Sequence, residues 1–95
     1  MIKVVAKMTL KPDKAEEMKT VATGLIAETV KEEGNIAYQL FQEIKNPDVV
    51  FFIEEWESSE ALRQHAKSTH FKEAMASISE MLAKEPEISV CSLIG

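Results

Sequence analysis

Residues 49–56, VVFFIEEW, are apolar on both faces of the strand they spell. In an extended chain successive side chains point to opposite sides, so Val49, Phe51 and Ile53 share one face while Val50, Phe52 and Trp56 share the other. Apolar residues on both faces require cover on both. A chain of 95 residues has material for one hydrophobic core, so residues 1–95 are read as a single domain. Its own helices can cover one side of this strand. The other side calls for a second subunit, and a homodimer joined through its sheets is expected.

The flanking patterns say where the helices come from. Residues 2–10 alternate, with Ile2, Val4, Ala6, Met8 and Leu10 on one side, and read as a strand. Pro12 and Asp13, with Glu16 three residues after the aspartate, resemble a capping box, and a helix is expected from there to about Glu33. Its apolar residues Met18, Val21, Ala22, Leu25 and Ile26 recur at three- and four-residue spacing, and Gly34 supplies the stop. Asn35 to Glu43 alternates again, and Asn46-Pro47-Asp48 is turn chemistry, so this segment should form a hairpin with residues 49–56. Ser58 or Ser59 can cap a short helix to about Lys67, and Ser68-Thr69 a second one carrying Phe71, Ala74, Met75, Ile78, Met81 and Leu82. Pro86 ends it, and Ile88 to Ile94 reads as a last strand. The order strand, helix, strand, strand, helix, strand is the α+β, ferredoxin-like βαββαβ pattern, an antiparallel sheet with helices on one face.

Composition excludes several classes of function. Eleven basic against sixteen acidic residues give a net charge of −5, with the basic residues scattered singly, so no positive stripe exists to hold nucleic acid. The first ten residues interleave lysines with apolar residues and carry neither a long apolar run nor a cleavage site, so neither secretion nor membrane insertion is expected. Cys91 is the only cysteine and sits in the apolar run SVCSLIG, which fits a reducing cytoplasm and a small buried hydrophobe. Three glycines leave no phosphate-binding loop or dinucleotide fingerprint, and no nucleotide or flavin cofactor is expected.

The residues that could carry chemistry are Tyr38, Glu54, Trp56, His65, His70 and Phe71. His65 lies on the buried edge of the short helix, where an imidazole could serve as a general base or be a core histidine donating to a carbonyl. Glu54 shares a face with Phe52 and Trp56, so its carboxylate needs a partner, either Tyr38 or His65. Phe52, Trp56 and Phe71 are either plain core or the walls of an apolar pocket. Because the helical region breaks at Ser68-Thr69, a cavity between Trp56, His65 and Phe71 is plausible, with His70 at the mouth of the second helix. A metal is not expected. His65 and His70 are five apart, roughly 140° around one continuous helix, and no third nitrogen or sulfur ligand is nearby.

The segments EEGNIAYQLF, FFIEEWESSEALRQH and STHFKEAM resemble the antibiotic-biosynthesis monooxygenase family, including its quinol monooxygenase members, and KMTLKPDKAEE fits the family's first strand-to-helix junction. The resemblance covers essentially the whole chain and implies a dimeric α/β barrel. It also implies oxidation of a quinol or related aromatic molecule by molecular oxygen, with neither metal nor flavin. In that chemistry a deprotonated, electron-rich substrate passes an electron to oxygen itself, so the protein supplies a base, an apolar cavity and a fixed orientation. His65 would be the base or hydrogen-bond partner and Glu54 and Tyr38 the orienting groups. Phe52, Trp56 and Phe71 would be the walls, with His70 at the substrate. Haem-degrading members carry an axial histidine where this chain has Met75 and an asparagine where it has Ala6, which counts against haem. Other relatives isomerise a phosphorylated signal of the autoinducer-2 type; for that, Lys3, Lys7, Lys67 or Lys72 would have to reach the pocket. A non-catalytic dimeric binding module is the third reading.

Overall fold

A computed structural model describes residues 1–95. The elements are β1 (Ile2–Thr9), α1 (Ala15–Thr29), β2 (Asn35–Gln42), β3 (Val49–Trp56), α2 (Ser59–Lys67), α3 (Thr69–Ser79) and β4 (Glu87–Ser92). They form a four-stranded antiparallel sheet in the order β2-β3-β1-β4 with the three helices on one face, the ferredoxin-like α+β fold.

The register explains which residues meet the helices. Ile2, Val4, Ala6 and Met8 of β1 stand opposite Trp56, Glu54, Phe52 and Val50 of β3, and Tyr38 and Leu40 of β2 continue the same face. Met18, Ala22 and Leu25 of α1 and Ala74 and Ile78 of α3 pack onto that face in one buried cluster. Each such large apolar side chain removed from water contributes about 1.5–3 kcal/mol. The opposite face has no helix. There Val5 pairs with Ile53 and Phe41 with Phe51, and Phe41 remains half exposed. The expectation that β3 is apolar on both faces therefore holds, and Lys3, Lys7, Gln39 and Glu55 border the uncovered stripe.

Several boundaries differ from those the sequence predicts. Asp13 does not cap α1. It adopts φ 64°, a left-handed conformation that aspartate tolerates better than most residues, and Lys14 precedes the helix with no side-chain cap. The helix ends at Thr29 rather than Glu33. From there Lys31 N–H bonds to the Glu28 carbonyl and Glu32 N–H to that of Thr29, tightening the chain into three-residue turns. Helix α3 stops at Ser79, so Met81 and Leu82 lie in the turn that follows, where the Met81 carbonyl accepts from Lys11 N–H. Strand β4 ends at Ser92. Being an edge strand with little cover on either face, it leaves Cys91 exposed, not buried as its apolar neighbours implied. The two serine caps are as expected: Ser58 Oγ accepts from Ala61 N–H, and Ser68 Oγ from Phe71 N–H.

Gly34 closes the turn between α1 and β2 at φ 88°, and a Cβ there would lie 2.5 Å from that of Ala61 on α2. Both conformation and space exclude a side chain. Gly34→Ala is expected to cost about 2–4 kcal/mol, from left-handed strain plus overpacking. Urea denaturation would read this as a lower midpoint at unchanged slope, and a change below about 0.5 kcal/mol would contradict the account.

Candidate active site

The helical region does break at Ser68, and the break shapes the site. Ser68 is extended, its hydroxyl donates to the His65 carbonyl at 2.7 Å, and it caps α3, so α2 and α3 leave the kink in different directions. Between them and the sheet lies a cavity of about 120 Å³. A site needs only about 10–15 Å³ to hold one water, so this one admits a larger guest. Val4, Ala6, Met8 and Phe52 line the sheet side, and Leu62, Ala66, Phe71 and Met75 the helix side. Ile88 and Val90 of β4 complete the lining, and they are 58% and 60% exposed. The polar residues of the lining are Tyr38, Glu54 and His65, and no lysine or arginine is among them.

Glu54 is buried, and its partner is neither Tyr38 nor His65. The indole Nε1–H of Trp56, two residues along the same strand face, donates to Glu54 Oε1 at 2.9 Å. Burial pushes the Glu54 carboxyl up to about 6; the indole hydrogen bond opposes this, and nearby Glu32 adds to it. Tyr38, opposite Glu54 in the register, has its phenol raised, first by burial and then by Glu54 and Glu32, so it remains a protonated donor.

His65 is 2% exposed and enclosed by rings, with centroids of Trp56 and Phe71 each at 4.8 Å and Tyr38 at 5.1 Å. Burial lowers its pKa, against the opposing pull of Glu32. Its Nδ1 lies 2.7 Å from Glu32 Oε2, while Nε2 is buried without a hydrogen-bond partner. With Nδ1–H donating to the carboxylate, Nε2 carries the lone pair, and the buried orphan is free to accept from a guest.

Glu32, which the sequence pattern does not single out, is the residue that joins the two histidines. The expected helix placed it inside α1, whereas the early end at Thr29 and the turn at Gly34 carry it to α2 and α3. Its usable signal was the run Lys31-Glu32-Glu33, which interrupts the apolar spacing just before Gly34. The same Oε2 also lies 2.7 Å from Nε2 of His70. His70 thus stands behind Glu32 and does not line the cavity. Trp56, wholly buried, is likewise absent from the lining and instead backs His65 and Glu54. Tyr38, Phe52, Glu54, His65 and Phe71 are brought together around the cavity as proposed from the sequence.

This arrangement also revises the argument on metals. The kink puts His65 and His70 on separate helices, so the angle around one continuous helix does not apply, and Glu32 adds a third ligand type. One ligating atom from each lies within 4.8 Å of the others. The same atoms already satisfy one another through the shared carboxylate oxygen.

Similarity to known proteins agrees with this geometry. The family model for antibiotic biosynthesis monooxygenase matches residues 1–77. A conserved protein from Methanosarcina mazei Go1 superposes with a TM-score of 0.92 at 46% identity, covering 95% of this chain and 89% of that one. A structure described as an antibiotic biosynthesis monooxygenase superposes with a TM-score of 0.94 at 27% identity over the whole of both chains. YcnE of Bacillus subtilis (strain 168), named as a candidate monooxygenase, is 31% identical over 83 residues, 87% of each protein. The fold and site define a ferredoxin-like domain with a buried imidazole at an apolar cavity. The chain belongs to the antibiotic biosynthesis monooxygenase family, and the names its relatives carry support an oxidoreductase function of monooxygenase type.

Because Glu54 holds its proton more tightly when folded than at the ordinary carboxyl value of 4.5, its contribution to stability is full below about 4.5 and is lost as pH rises through about 6. Glu54→Gln keeps an acceptor for the indole and removes this loss. Its stability relative to the parent should improve by about 2 kcal/mol between pH 4 and pH 8. Paired denaturation curves at the two pH values measure this; a difference independent of pH would contradict the assignment.

Proposed function

We propose that this protein is a cofactor-independent monooxygenase that oxidises a quinol or related small aromatic molecule with molecular oxygen. The observation that carries the reading is the single unpartnered imidazole nitrogen, buried in a ring-lined site at the edge of an otherwise apolar cavity. Such a cavity selects a flat, uncharged guest. His65 Nε2 takes the proton of a substrate hydroxyl, and Glu32 stabilises the imidazolium that results. Tyr38 and Glu54 orient the ring as donor and acceptor, and Phe52 and Phe71 wall it in. The electron-rich anion then reduces oxygen. Overall, a reduced substrate SH2 and O2 give SO and water, with the substrate supplying all four electrons.

The phosphorylated-signal isomerase reading loses its support in the same lining. Lys3 and Lys7 alternate onto the opposite face of β1, and neither Lys67 nor Lys72 lines the cavity, so a phosphate would enter with no cation to meet it. The assembly belongs to the proposal too: two copies pair through the uncovered faces that carry Val5, Phe41, Phe51 and Ile53, closing a dimeric α/β barrel. Light scattering at micromolar concentration should give twice the 10.6 kDa chain mass, and a single-chain mass would contradict it.

Dissolved-oxygen traces with a panel of hydroquinones test the chemistry. The parent should consume oxygen, with the acid limb of its pH profile centred below the ordinary imidazole value of 6.5, since burial holds His65 neutral. His65→Ala should lose about a hundredfold or more of the rate. Equal oxygen uptake by the variant would remove His65 from the mechanism, and a raised melting temperature without product would replace the enzyme reading with a binding one.

A further inference from the structure

A base buried in a greasy cavity must lose the proton it gains, and His65 is only 2% exposed. A continuous polar route leads from it towards solvent. His65 Nδ1 lies 2.7 Å from Glu32 Oε2, and that oxygen lies 2.7 Å from His70 Nε2. Side-chain exposure rises along the route, from 2% at His65 through 16% at Glu32 to 26% at His70. We propose that Glu32 and His70 form a proton relay that passes the substrate's proton from His65 to solvent, a role that rests on His65 being the base.

The step balances with no further reactant. The substrate O–H bond breaks as the N–H bond at His65 Nε2 forms, and the Nδ1 proton moves to Glu32 Oε2. The Glu32 proton moves to Nε2 of a His70 in the Nδ1–H tautomer, and His70 Nδ1 releases its proton to water. One proton enters and one leaves, while the carboxylate is regenerated. His65 is left neutral with its proton on Nε2, beside the cavity; when that proton passes to the reduced oxygen as it becomes water, one proton returns from solvent by the same route to His65 Nδ1, and both histidines recover their starting tautomers. The other titratable groups near His65, Glu54 and Tyr38, line the cavity itself and offer no such exit. Glu32 and His70 are therefore positioning and relay residues that need not touch the substrate.

A structural clamp would use the same contacts, so the test must separate holding from carrying. Glutamine at position 70, whose amide reaches as far as Nε2, can still hydrogen-bond Glu32 but cannot shuttle a proton. In His70→Gln, kcat for hydroquinone-dependent oxygen uptake should fall at least about tenfold with KM little changed. Added imidazole buffer should restore much of it. Without substrate, saturation transfer from water to the hydrogen-bonded His65 Nδ1 proton, read by NMR, should slow by a similar factor in His70→Gln and change again in Glu32→Gln. Exchange and kcat both at parental values in His70→Gln would overturn the relay while leaving the His65 base intact. A parent inactive on every quinol would instead sink the oxygenase reading, and the exchange measurement alone would then decide the relay. One equivalent of divalent metal in the purified protein, lost in Glu32→Gln, would also overturn it, because the three side chains would then be ligands.

Discussion

One carboxylate oxygen, Glu32 Oε2, ties together three parts of the chain that the backbone alone would leave independent. It belongs to the turn between α1 and β2, and it meets an imidazole from α2 and another from α3. Without it, His65 would be a buried ring with both nitrogens unpaired, a costly state in so apolar a setting. With it, the ring has a fixed orientation and a defined lone pair. The arrangement in turn depends on Gly34, whose left-handed conformation and close approach to Ala61 bring the turn against α2.

The two carboxylates of the site, Glu54 buried and Glu32 half-buried, have different neighbours. Glu54 is held up to about 6 by burial among apolar neighbours, against the opposing pull of the indole N–H that it accepts. Glu32 sits nearer solvent between two histidines. Glu54 thus borders the cavity, while Glu32 holds the imidazole from its other side.

Much of this architecture was legible in the sequence, because it follows from periodicity. The alternation of residues 2–10, 35–43 and 49–56, the serines at 58 and 68 and the turn at 46–48 each have one dominant local outcome, and together they specify the ferredoxin-like order. The cavity was legible through the break at Ser68. What was not legible depended on residues distant in sequence. Asp13 looked like a cap, but the chain used its tolerance for a left-handed turn. Glu32 falls late in the expected helix, and the run Lys31-Glu32-Glu33 that marks it does not show that it will face histidines 33 and 38 positions on. His70, expected at the mouth of the second helix and, by the family resemblance, at the substrate, instead meets Glu32, while Phe71 beside it lines the cavity. Cys91 was judged by apolar neighbours that turn out to lie on an uncovered edge strand.

The outer edge of the cavity is built from the least constrained element in the molecule. Ile88 and Val90 belong to a strand that hydrogen-bonds on one side only, and their side chains are mostly exposed. The helices, the kink and the histidines are anchored elsewhere. Relatives could therefore widen, narrow or polarise the entrance by changing two side chains on a border strand, at little cost to folding. In the proposed monooxygenase, chemistry and selectivity are thereby lodged in separate structural units, so one reaction centre can serve guests of many shapes.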